Sequence, residues 1–221
     1  MASTNILGIR NHTFDPVWHV QAAVIVALGL QLALPNEFSA GPRTVLPLLE
    51  ALLLLALVLS TPRLPVFESK VRRIVSVALI AVVSLANVYA LGRVAGQLLA
   101  GGRISNGREL ILAALNIYLT NLIAFGLWYW ELDGGGPGRR RARKNHERDF
   151  LFPQMQSGEL GGGWHPTFLD YLYVSATNAM AFSPTDTLPL TRRAKMLMLA
   201  QALVSLTALA LVAARAVNIL N

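Results

Sequence analysis

The chain has 221 residues, of which 54% are hydrophobic and 14% charged, with a mean hydropathy of +0.49 and a formal net charge of +7. The apolar share lies above and the charged share below those of an ordinary soluble domain, so the sequence reads as an all-α integral membrane protein. Cysteine is absent, which excludes disulfides, thiolate metal sites and a cysteine nucleophile. His12, His19, His146 and His165 fall at no helical ligand spacing and the carboxylates are scattered, so no metal site and no cofactor is expected.

Five runs are long enough to cross a bilayer, which takes roughly 17 to 25 mostly apolar residues per helix: 17–34, 44–60, 73–94, 109–130 and 195–220. The first has only Arg10 as a basic residue before it and no small-residue cleavage site closely after it, so it reads as an uncleaved anchor. Breakers at Pro35, Gly41 and Pro42, at Pro62 and Pro65, and at Gly101 and Gly102 keep the first three connections short and make consecutive helices antiparallel neighbours. The fourth connection runs for about sixty residues, with glycine clusters at 134–136 and 161–163 and the basic run RRRARK. Two regions follow: 1–100, a three-helix membrane region, and 101–221, a helix, basic loop, short helix and final helix.

Inside that fourth connection, Thr167 with Asp170 three residues later is a helix-capping pattern. The apolar helix it opens, 168–181, is too short to span. Ending in the irregular polar stretch SPTD, it reads as a re-entrant hairpin, because such backbone is tolerated at membrane depth only against protein or water; a helix lying in the interface is the other reading.

Polar residues within the spans carry their own expectations. Glu50 and Arg93 lie at similar depths near the outer side, where they would form an intramembrane ion pair, with a proton or substrate site as the alternative. Asn87, Asn116, Asn121, Gln201 and Asn218 can hydrogen-bond between helices. Trp128, Tyr129 and Trp130 read as an interfacial aromatic belt. The basic residues Arg139, Arg140, Arg141, Arg143 and Lys144 lie beside a span, where anionic lipid attracts each by about 1 kcal/mol. Contact with membrane lipids is therefore expected, and no nucleic-acid partner. The segment 149–155 resembles a short amphipathic anchor, with Phe150, Leu151 and Phe152 facing lipid or the bundle.

The stretch LYVSATNAMAFSPTDTLPLTRRAK resembles the pore helix, selectivity filter and inner-helix start of the potassium-channel pore module. Asp186 falls on the filter-flanking aspartate, Pro189 on the proline that follows it, Thr191 and Lys195 on the threonine and basic residue that open the inner helix, and Tyr173 on the pore-helix aromatic. Ser205 falls on the inner-helix glycine hinge. The filter positions are Ala181, Phe182, Ser183, Pro184 and Thr185, with both glycines of the family pattern replaced and a proline that fixes φ and removes an amide. The resemblance, which covers 109–220, thus implies a degenerate filter. In a tetramer, hydroxyls from Ser183 and Thr185 and the Asp186 carboxylate would dress a hydrated path for small cations without strong potassium selectivity. Two other readings stand beside it: SPTD as an N-cap, first-turn proline and acid that merely start a helical turn, and the whole chain as a non-conducting scaffold or accessory subunit. No nucleophile is set beside a base, so no enzymatic activity is expected.

With five spans, 14 of the 19 basic residues fall on the side of the N-terminus and five on the other. The positive-inside rule then places the N-terminus and the long basic loop in the cytoplasm, in the plasma (inner) membrane. That is opposite to the hairpin orientation of ordinary potassium channels and the same as in the related ionotropic glutamate receptors.

Overall fold

The computed structural model describes residues 17–39, 48–52, 70–99, 107–142, 148–156, 164–180 and 186–220. Among these, three helical segments are long and apolar enough to cross a membrane: Val71–Leu98, Arg108–Gly135 and Arg192–Arg215. They match the third, fourth and fifth expected runs and belong to helices α2 (Lys70–Leu99), α3 (Gly107–Leu132) and α7 (Arg192–Leu220). Helix α1 (Val17–Ala33) covers the first run with 17 residues, about 25 Å at 1.5 Å per residue. Of the second run only residues 48–52 are described, and they are helical.

Helix α3 is the centre of the bundle. It packs against α1, α2, the short helix α6 (Phe168–Ala179) and α7. One apolar cluster accordingly draws Val20, Val24 and Val83 from the first hundred residues together with Leu127, Phe150 and Tyr171 from the rest. The cluster thus draws on both of the regions read from sequence.

Past Leu132 the chain turns through Gly134, Gly135 and Gly136 at φ of 59°, 82° and 105°. L-residues with a side chain resist this conformation, and the glycine cluster supplies it. A short helix α4 (Pro137–Ala142) follows, and strand β1 (Phe150–Leu151) and one helical turn, α5 (Pro153–Gln156), precede α6. The expected cap is present: Asp170 returns its carboxylate to the Thr167 amide at 2.6 Å and hydroxyl at 2.8 Å.

Helix α6 runs back along α3. The Phe168 ring stands edge-on to Trp130, and the Ser175 hydroxyl donates to the Leu122 carbonyl at 2.6 Å. Between them Gly126 lets the helices close, since a Cβ there would sit 3.2 Å from the Leu172 Cα. Beyond the residues described at 180, the chain returns as strand β2 (Leu188–Pro189), which pairs antiparallel with β1, Phe150 opposite Pro189 and Leu151 opposite Leu188. The segment 167–190 thus enters and leaves at one end of the bundle. This four-residue ladder is the departure from an all-helical chain among the described residues.

Candidate functional site

Helix α6 carries Ser175 and Asn178 one turn apart, on a face wedged between α3 and α7. Both meet Gln201 of α7, which is wholly buried. Its Nε2 donates to the Ser175 carbonyl at 2.8 Å and hydroxyl at 2.6 Å, while its Oε1 accepts from the Tyr129 hydroxyl and from Asn178 Nδ2 at 2.9 Å. Asn178 Nδ2 also reaches the Met198 carbonyl at 2.9 Å. One turn along α7, Ser205 accepts from Asn121 Nδ2 at 2.8 Å, which also contacts the Gln201 carbonyl. Six side chains from three helices form one buried network, with every Gln201 donor and acceptor engaged.

At the end of the bundle where α6 begins, the wholly buried Asp133 takes the amides of Asp149 and Phe150 at 2.6 and 3.2 Å and the Tyr171 hydroxyl. Burial pushes the Tyr171 phenol well above its usual pKa despite the nearby Arg140 charge, so it stays a donor. Asp149 accepts from the Thr191 hydroxyl and the Gly134 amide, with Arg193 3.7 Å away. Arg140 donates to the carbonyls of Trp130 and Asp133, capping α3, and stacks over Tyr171 at 5.0 Å. The start of α7 is thereby tied to the end of α3.

Several sequence expectations change here. Arg140 is buried and spent on α3, so it is not a lipid-facing member of the basic run; Arg139 is exposed, the Arg141 side chain is not described, and Arg143 and Lys144 lie outside the described residues. Tyr129 and Trp130 are buried among Phe150 and Phe168 rather than forming a belt, because β1 and α6 cover them, and Trp128 donates to Ser84 at 2.9 Å. Phe150 and Phe152 face the bundle. Ser205 lies within α7, which runs unbroken through it. Arg93 is not paired with Glu50. Its guanidinium donates to the Glu37 carbonyl at 3.1 Å, and neither Glu50 oxygen has a hydrogen-bond partner. Asp186 is exposed, whereas Ala181, Phe182, Ser183, Pro184 and Thr185 lie outside the described residues. Asn87, Asn116, Asn121 and Gln201 do bond between helices as expected.

Asp133, Asp149 and Tyr171 carried no sequence expectation. One signal was available for Asp133: an acid at a helix C-terminus faces the negative end of the dipole, so it needs local donors. Comparison with protein families, curated proteins and solved structures finds no match for the chain.

Proposed function

We propose that the chain is a channel-like integral membrane protein of five spans. Its 167–190 hairpin would dip into the bilayer from the cytoplasmic side of the plasma (inner) membrane. In a homo-oligomer, with a tetramer favoured, that hairpin lines a hydrated path for small cations without strong potassium selectivity. The observation that carries this reading is the seat of α6: a 12-residue helix held between two long apolar helices, its chain entering and leaving at one end. In the sequence that helix is followed by Ser183, Pro184, Thr185 and Asp186, whose hydroxyls and carboxylate would meet the path in this reading. The closed Gln201 network favours a second reading, a non-conducting scaffold, since it needs no ion to be satisfied.

Flux separates the two. In liposomes, Asp186→Asn should lower cation flux, most at low ionic strength where a fixed charge is least screened, with oligomeric state unchanged. Wild-type protein that passes no potassium, sodium or protons under varied voltage and pH favours the scaffold.

Orientation has its own test. Arg72, Arg73, Arg139, Arg148, Arg192, Arg193 and Lys195 cluster with the hairpin end, because Ser76 bonds Glu131 at 3.0 Å and Thr191 bonds Asp149. Single cysteines at the exposed positions Arg139 and Arg108 should therefore be labelled from opposite sides, Arg139→Cys only after the cytoplasm is opened. Labelling of Arg139→Cys in intact cells by an impermeant reagent would reverse the orientation.

A further inference from the structure

Helix α7 turns one side to the bundle. Its buried side chains, Ala194, Gln201, Ser205 and Ala208, recur at helical spacing and so share a face, which meets Asn121, Ser175 and Asn178. On the opposite face, at the same kind of spacing, Arg192, Lys195, Met196, Leu199, Leu203 and Leu206 form one exposed stripe. Its first turn is cationic and the rest is apolar. From Lys195 to Leu206 the stripe is about 16 Å long at 1.5 Å per residue, close to half of the 30 Å hydrocarbon core of a bilayer. It therefore runs the depth of a single leaflet.

The cations at the head of the stripe are not neutralised within the chain. Arg193, between them in sequence, lies on another side of the helix and approaches Asp149 at 3.7 Å. Arg192 and Lys195 have no acidic partner among the described residues. The first turn of α7 holds no acid either, so both stand at the positive end of the helix dipole, where like charge is unfavourable. An anion at that point is attracted by both side chains at once.

We infer that this stripe seats one anionic glycerophospholipid, its phosphate between Arg192 and Lys195 and an acyl chain along Met196, Leu199, Leu203 and Leu206. Charge complementarity selects the occupant. Arg and Lys bind phosphate oxygens by charge-assisted hydrogen bonds, and anionic lipid is drawn to basic residues at the membrane surface. A zwitterionic lipid would bring its own ammonium group to the two cations. A second copy lying parallel, stripe to stripe, would bring its own Arg192 and Lys195 against them. Free phosphate would meet the cations and leave the apolar part uncovered. The site requires α7 to stand in a bilayer and does not require the 167–190 hairpin to conduct.

The test incubates the full chain in detergent with equal amounts of phosphatidylglycerol and phosphatidylcholine and counts bound lipid by native mass spectrometry. Wild-type protein should retain phosphatidylglycerol in preference, and the double variant Arg192→Gln, Lys195→Gln should lose that preference by about thirtyfold. Leu203→Asn should weaken retention of both lipids and leave the headgroup preference in place. Phosphatidylglycerol should also raise the unfolding midpoint saturably, as a ligand of the native state does, and inorganic phosphate should not. Equal retention of the two lipids by wild-type protein, an undiminished preference in the double variant, or an equal midpoint shift from inorganic phosphate would overturn the site. Cross-linking of Leu203→Cys chains to one another in phosphatidylglycerol bilayers would overturn it too, by placing a second copy on the stripe. Should the double variant fail to fold, the wild-type lipid count and the phosphate comparison decide. None of these readouts involves flux, so failure here is distinct from failure of the conducting hairpin.

Discussion

Asp133→Ala should be the most damaging single substitution in the chain, lowering the stability of the detergent-solubilised protein by about 4 kcal/mol. The carboxylate it deletes is wholly buried and serves two backbone amides and the Tyr171 hydroxyl. Alanine brings no acceptor, so all three donors are orphaned where water does not reach, and bonds to a charged acceptor are worth more than neutral ones. Amide exchange across Phe168–Ala179 should accelerate as the helix loses its footing. Tyr171→Phe is the internal comparison: it removes one donor and leaves the two amides served, and should cost about 1 kcal/mol. If the two variants unfold at the same midpoint, Asp133 is not the organising group of that end.

Gln201→Leu should come second. It keeps the apolar volume and deletes four hydrogen bonds, to Ser175 twice, Tyr129 and Asn178. At about 0.6 kcal/mol for an interhelical bond within a membrane the loss is about 2 kcal/mol. The Tyr129 hydroxyl, which keeps the Asn178 donor at 3.4 Å but loses the acceptor for its own proton, takes it to about 3 kcal/mol. Ser205→Ala touches the same network through one bond from Asn121 and should cost under about 1 kcal/mol. Unfolding midpoints read both variants, and a Gln201→Leu protein as stable as Ser205→Ala would show that α6 is held by apolar packing alone.

The long helices were legible because their signal is collective. The expected runs 73–94 and 109–130 lie inside Val71–Leu98 and Arg108–Gly135, and 168–181 overshoots α6 by two residues. The Thr167 cap was legible because its chemistry closes within one turn. What sequence did not reveal depends on partners far along the chain. Tyr129 and Trp130 have the composition of an interfacial belt, and only Phe150 and α6 laid over them make them core. Arg140 has the charge of a lipid contact, and only the turn at Gly134–Gly136 brings it back onto the α3 carbonyls. Glu50 and Arg93 share a depth, but depth does not say on which side of a helix a group faces. Gln201 was legible as a bonding residue and not as the hub, since its partners lie 23 to 72 residues away.

The ties that hold α6 also set an order of assembly during synthesis. Helix α6 can lie against α3 as soon as it is made, but its Ser175 and Asn178 are completed by Gln201, and Asp149 by Thr191. When Asn178 is synthesised, Gln201 is still 23 residues away, a second or more at roughly 5–20 residues per second. During that interval a short helix with unsatisfied amides and hydroxyls must wait at the membrane surface or in the insertion machinery. Helix α7, made after α6, is therefore the element that commits α6 to its place.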